Sequence, residues 1–168
     1  PGDSVATFTV GVLGDMVVEP DEWLAVRISE AIGLTLTDST AVGTIVADDL
    51  PVLSIADTML AEGGPDSPMV SFRVRLTPAA YAPVSFHFET VDGTAESAAG
   101  DYLPVSGDTA FAPGQDQIVI EVPVLGDALL EGNERFTLRV SSVQAATPAE
   151  RSAIATLAND ERASFARV

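Results

Sequence analysis

Two stretches of this chain hold carboxylates in the same frame. "GDALLEGNERF" at 126–136 sets Asp127, Glu131 and Glu134 ahead of a segment with strand alternation. "GDMVVEPDEWL" at 14–24 repeats the frame with Asp15, Glu19 and Glu22. Each block closes on further polar groups, Asn159-Asp160-Glu161 in one and Asp48-Asp49 in the other. Carboxylates gathered at one place repel, so such a cluster is either dispersed in water or neutralised by a cation. An all-oxygen donor set of this kind matches Ca²⁺, which takes about six to eight oxygens in flexible geometry. Mg²⁺ demands a stricter octahedron and keeps its waters. With no Cys and one His, transition metals are disfavoured. The bland alternative is a set of solvated loop acids, where most Asp and Glu reside.

Composition narrows the partners. The 168 residues carry a formal net charge of −17 with 46% hydrophobic content. That charge argues against nucleic acid, whose phosphates need Lys and Arg, and against anionic lipid. The acids are interleaved with Val, Ile, Leu and Phe, so a disordered acidic tail is a poor explanation. All eight basic residues are Arg, which reads as genomic bias. Disulfides and thiolate sites are excluded, and no apolar run approaches a membrane span, so no direct membrane insertion is expected. The opening "PGDSVATF" reads as the interior of a longer chain.

The elements that must position the acids emerge from an internal repeat. Residues 1–29 lie without gaps on 113–141, an offset of 112 (1 onto 113), and the same offset puts 40–49 on 152–161. Gap-free self-similarity at a domain-sized period marks a tandem module. The expected organisation is the C-terminal half of one module at 1–50, a complete module at 51–162, and the start of a third at 163–168. Within 51–162, period-two alternation recurs between turn residues. Phe72, Val74 and Leu76 form one inward set. Val84, Phe86 and Phe88 form another, followed by Ile118, Ile120, Val122 and Val124, then Phe136, Leu138 and Val140. With strands near 52–56, 109–111 and 152–158, about seven strands result. The expected fold is all-β, an immunoglobulin-like antiparallel β-sandwich, tandemly repeated. Pro123 belongs at an edge or bulge, and Asp92-Gly93 reads as a turn.

The segment 92–140 resembles the Calx-β domain. The features that carry the likeness are Asp92-Gly93-Thr94-Ala95, Gly100-Asp101-Tyr102, Phe111 with Pro113-Gly114, the Asp127/Glu131/Glu134 frame and the closing Asn159-Asp160-Glu161. The resemblance implies a calcium pole drawing on Glu62, Asp101, Asp127, Glu131, Glu134, Asp160 and Glu161. Two departures imply fewer ions or weaker binding than in the most acidic members: Gly126 where exchanger domains often add an acid, and Asn159 in place of a first closing Asp. Through the offset, Asp15, Glu19, Glu22, Asp48 and Asp49 form the corresponding set of the first block.

No enzyme is expected. His87, the single histidine, falls on the polar face of its strand, and no nucleophile motif frames it. The acids belong to a repeated frame, which disfavours a glycosidase pair, and no phosphate-cradling loop is present. Trp23 has no aromatic counterpart in the other copy. The expected role is a calcium-binding structural module on an extracellular or cell-surface protein, bacterial by the resemblance, with adjacent repeats as partners. An alternative is a subunit of a self-assembling extracellular fibre, a homo-oligomer or filament completed by neighbouring chains. In a permuted form of it, 1–50 pairs with 51–112. A third reading is an appendage to an enzyme elsewhere in the same protein.

Overall fold

In a computed structural model of the chain, the described residues are 5–63, 68–126 and 130–160. The expected start of a third module at 163–168 falls outside them. Alternation becomes structure most plainly in "MVSFRVRLT", where buried and exposed residues alternate along the whole strand. Val70, Phe72, Val74 and Leu76 enter the core while Ser71, Arg73 and Arg75 face water.

The strands in chain order are β1 (Glu22–Arg27), β2 (Thr40–Ile45), β3 (Val52–Ile55), β4 (Thr58–Ala61), β5 (Met69–Thr77) and β6 (Val84–Val91). They continue with β7 (Ser106–Phe111), β8 (Gln117–Pro123), β9 (Glu134–Gln144), β10 (Thr147–Pro148) and β11 (Ser152–Ala158). One sheet has the order β10-β3-β5-β8 and the other β4-β11-β9-β6-β7. Their inner faces bury one continuous core, an immunoglobulin-like sandwich spanning 52–158. Phe136 is its pivot: Tyr102 stacks on it at 4.2 Å, and Phe72 meets it edge-on at 6.0 Å. The inward sets read from alternation are buried, except that Phe88 and Ile118 are only half-buried. Both lie toward the open side of the sandwich, on β6 beside the edge strand β7 and on the edge strand β8. Pro123 ends β8, whose one strand partner among the described residues is β5, so its missing N–H disturbs no further ladder there.

Three details depart from the sequence reading. The first strand of the sandwich is split, β3 in one sheet and β4 in the other. Asp57 sits at the switch, and its Oδ1 accepts a 2.7 Å hydrogen bond from Ile154 N, holding the chain as it crosses. As a result two pairings are parallel, β3 with β10 and β4 with β11, in an otherwise antiparallel fold. Third, the short strand at 109–111 extends back to Ser106 because it pairs along β6 from Glu89 to Val84.

Residues 5–50 stand apart as a two-stranded sheet of β1 and β2, paired antiparallel. Among the described residues the permuted pairing of the first block with 51–112 is not adopted: β1 pairs with β2, β6 takes β9 and β5 takes β8. Residues 5–11 share the pattern of β8 yet form no strand. The partner of β8 is β5, and 5–11 has no such neighbour.

One close approach ties the loop after β6 to β9. A Cβ built on Gly93 would lie 2.3 Å from the carbonyl oxygen of Arg135, a backbone atom that cannot swing away. Ala95 N donates to that same oxygen at 2.9 Å. Gly93→Ala is therefore expected to lower stability by about 1–3 kcal/mol, the usual range for overpacking, measured as a shift of the denaturant midpoint. A wild-type midpoint would contradict the contact.

Candidate metal centre

Four chain segments end at one pole of the sandwich: β4, β6 and β11 run into it, and β9 starts from it. Glu62 follows β4 directly and, at 7% exposure, is the one buried charged residue among those described. Its N–H donates to Ala158 O at 2.9 Å, extending the β4–β11 ladder by one residue and fixing its backbone. Glu134 opens β9 and is half-buried, while Glu131 is exposed in the approach to it. Asp101 lies in the loop between β6 and β7, where its Oδ2 accepts from Glu96 N at 2.7 Å.

That loop is built around Asp92, which the sequence reading took as a turn residue and as part of the family likeness but not as a structural acceptor. Asp92 Oδ1 accepts from Tyr102 OH at 2.5 Å and from Ser97 N at 2.9 Å. The Tyr102 hydroxyl bond first, then Ser97 N, holds the Asp92 carboxyl below its usual range. Burial and the Asp92 charge push the Tyr102 phenol above its own. Tyr102 thus joins the core, through its ring on Phe136, to the loop that carries Asp101.

The electrostatics of the pole centre on Glu134, whose pKa rises from 4.5 to about 7. Burial is the largest cause, followed by the charge of Asp101 and a hydrogen bond to it, then the charges of Glu131 and Glu62. A carboxyl-to-carboxyl hydrogen bond requires a proton between the two. The sequence places four acids from three loops here, and without a cation a proton takes its place. The donor set is all oxygen and anionic, which fits a hard divalent cation. Among the described residues no three carboxylates already stand in ligating geometry. Two of the expected ligands, Asp127 and Glu161, fall outside the described residues. The closing group is brought to the same pole: Asp160 Oδ1 accepts from Gly63 N at 3.2 Å, and Asn159 N donates to Asn133 Oδ1 at 3.3 Å.

The first block gathers its acids too. Asp15, Glu19, Glu22, Asp48 and Asp49 line a single cleft of about 250 Å³ beside the β1–β2 pair. The Glu22 charge above all, then desolvation and the charges of Asp15 and Asp49, raises the pKa of Glu19.

A clamp common to both blocks went unread in the sequence. Asp21 Oδ1 accepts from Ala47 N at 2.9 Å, and at the same offset Asn133 Oδ1 accepts from Asn159 N. The signal was present, Asp aligned on Asn, but it does not appear as an identity. Asp and Asn side chains each offer a carbonyl-type oxygen there, so the bond survives the exchange.

His87 lies on the outer face of β6 as expected, and it has neighbours: Nδ1 is 2.9 Å from Asp108 Oδ1 and Nε2 is 3.3 Å from Ser106 Oγ. The order of atoms is that of a nucleophile relay. With Asp108 87% exposed, however, the carboxylate is solvated and cannot hold the imidazole as a buried one does. Nearby, Glu89 pairs with Arg139 across β6 and β9.

Fold and site together define an immunoglobulin-like β-sandwich with acids converging at one pole. A match to the Calx-beta domain covers residues 62–162, and the chain belongs to that family. As a member it is a non-catalytic module. Among solved structures, the apo-form Calx CBD1 domain aligns over 67% of this chain and 100% of its own, at TM-score 0.59 and 22% identity. At that identity the likeness concerns the fold. Extracellular matrix protein 3 of Lytechinus variegatus is 26% identical over 145 residues, 82% of this chain and 5% of that protein. Sodium/calcium exchanger 1 of Canis lupus familiaris is 22% identical over 92% of this chain and 18% of its own length. The chain thus spans under a fifth of either relative.

A raised carboxyl pKa fixes the sign of a pH effect. The folded state retains a proton on Glu134 between about pH 4.5 and 7 that the unfolded chain has released. That stabilisation is present in acid and lost as pH rises. In chelator, the melting temperature is therefore expected to fall between about pH 5 and pH 7.5, and Glu134→Gln to flatten the slope. A wild-type Tm that climbs over this interval, with the variant tracking it, would contradict the convergence of charge at Glu134.

Proposed function

We propose that this chain is a calcium-binding structural module of an extracellular or cell-surface tandem-repeat protein. In this reading Ca²⁺ at one pole of each sandwich neutralises carboxylates that otherwise repel, and so stiffens that pole and the junction beyond it. The observation that carries it is the convergence of Glu62, Asp101, Glu134 and Asp160 at one pole of the sandwich, where burial and neighbouring charge raise the pKa of the Glu134 carboxyl. A cation placed among these groups removes the repulsion and displaces the proton. The residues that would hold it are Glu62, Asp101, Glu131, Glu134 and Asp160, with Asn159 as a neutral oxygen donor and Asp127 and Glu161 carried over from the family likeness. Support also comes from the exchanger and matrix relatives, and from a structural neighbour, the calcium binding domain CBD12 of CALX1.1.

The junction gives the mechanical part of the reading. The acidic end of the first block abuts the opposite, acid-poor pole of the sandwich. Glu19, Asp21 and Asp49 share a cleft of about 380 Å³ with Pro51, Tyr81 and Ala145. Only Leu50 and Pro51 separate Asp49 from β3. An ion held by Glu19 and Asp49 would fix the chain at the point where it passes from one unit to the next. A second reading, the fibre subunit completed by neighbouring chains, draws on the exposed apolar residues of 5–50.

An ion that binds only the folded state raises its stability by mass action. Ca²⁺ is expected to raise Tm over chelator at pH 7.5, with a smaller shift for equal Mg²⁺. Glu131→Gln is expected to weaken calorimetric Ca²⁺ affinity by roughly tenfold, since ligand charge sets affinity in such sites. Superimposable melting curves in Ca²⁺ and in chelator would sink the proposal.

A further inference from the structure

The two sheets of the sandwich are stitched along one side and open along the other. On the first side the chain crosses between them from β3 to β4 at Asp57. On the second, β7 and β8 are edge strands, and a cleft of about 440 Å³ lies between them. Phe88, Val105 and Ile118 line it, each half-buried.

The register fixes which backbone groups of β8 are spare. Leu76 N donates to Asp116 O and Val124 N to Pro68 O, so the even-numbered residues of β8 are turned to β5. Gln117, Val119 and Glu121 therefore turn their N–H and C=O groups off the sheet. The chain itself shows that this edge takes a strand. Tyr102 bridges Val124, and Leu103 N donates to Pro123 O at 2.9 Å. That short ladder stops where Val105 turns away to Thr90 of β6. At the other end Gln115 Nε2 donates to Gln117 O, a carbonyl that keeps a second lone pair. Among the described residues no strand pairs with the stretch between. The other edges are guarded. β10 has two residues, one of them Pro148, and β4 has four. β7 carries the 87% exposed carboxylate of Asp108 near its middle, which would face its own copy in an antiparallel pairing about that residue.

We propose that β8 is a self-association edge, on which two copies of this chain pair antiparallel about a twofold axis at Val119. The two four-stranded sheets then join into one through about six new backbone hydrogen bonds at residues 117, 119 and 121. The side chains of β8 suit this register on both faces. On the outer face Val119 meets its own copy and Gln117 meets Glu121, so no like charges are opposed. On the core-facing side the half-buried Ile118 meets Ile120. Arg75, beside Gln117 on β5, adds positive charge to the row that receives Glu121. Centring on Glu121 instead would oppose two carboxylates and set Pro123, without an N–H, against Val119. The edge belongs to the complete sandwich and uses nothing from residues 5–49. Each copy carries a net charge of −17, so the partners repel at long range and the pair tightens as salt screens them. Calcium plays no part in it.

The test uses the full chain in chelator. Sedimentation at up to about 0.5 mM protein, high because one strand edge buries little area, is expected to show a monomer–dimer equilibrium that added salt shifts toward dimer. Gln117→Glu opposes carboxylates at both ends of the ladder and is expected to weaken association at least about tenfold. Adding Glu121→Gln to the same chain restores a Gln–Glu pair at both ends, leaves the net charge at its original value, and is expected to recover the original association. The chain has no Cys, so Val119→Cys introduces one thiol, and mild oxidation is expected to link two copies through it. Asp108→Cys, on the edge of β7, is expected to stay unlinked. Absence of dimer at every salt concentration would overturn the proposal, as would association indifferent to Gln117→Glu. So would a double variant as weak as the single one, or oxidation that links Asp108→Cys and not Val119→Cys.

Discussion

Repulsion among Glu62, Asp101, Glu131 and Glu134 is the constraint around which the pole of this sandwich is organised. They come from three segments of the chain, and Glu62, Asp101 and Glu134 are each held by the local backbone. Glu62 is tied to the β4–β11 ladder, Glu134 begins β9, and Asp101 is held in a loop whose shape depends on Asp92 and Tyr102. The core reinforces this, since the ring of Tyr102 stacks on Phe136, two residues along the strand from Glu134. The same packing that stabilises the sandwich therefore holds its acids together. Burial of Glu134 raises the electrostatic cost and makes the pole responsive to whatever positive charge arrives, proton or metal.

Much of the fold was legible because the sandwich core obeys period two. Alternation at 72–76, 84–86, 120–124 and 136–140 named residues that prove buried, while Phe88 and Ile118, named with them, are half-buried. The strand split at Asp57 was not legible. "TML" at 58–60 is too short to display a period, and the decision to change sheets rests on one side-chain bond to Ile154 N. The irregular course of 5–11 was hidden for a different reason. Its alternation matches β8, but a strand is a paired object, and the ladder partner β5 has no equivalent beside it. Sequence pattern reports the capacity to form a strand, while the neighbour decides whether it forms.

The site was partly legible in a similar way. The repeated carboxylate frame pointed to Asp127, Glu131 and Glu134, and the family likeness supplied Glu62 and Asp101, residues that no spacing rule connects to the frame. What escaped was the scaffold. Asp92 looked like a turn residue and proves to be the acceptor that organises the Asp101 loop. Asp21 and Asn133 differ as letters while making the same bond to the same backbone position. Such positions are found by asking which atom is needed, an oxygen acceptor here.

The central claim is that a proton on the Glu134 carboxyl stands where a calcium ion would bind. Proton release on calcium binding tests it most directly, by titrating Ca²⁺ calorimetrically in buffers of different ionisation enthalpy. The account predicts release of a substantial fraction of one proton at about pH 6, falling toward zero by about pH 8.5 as the carboxyl ionises unaided. Calcium binding with no proton release at either pH, or no binding at all, would contradict it.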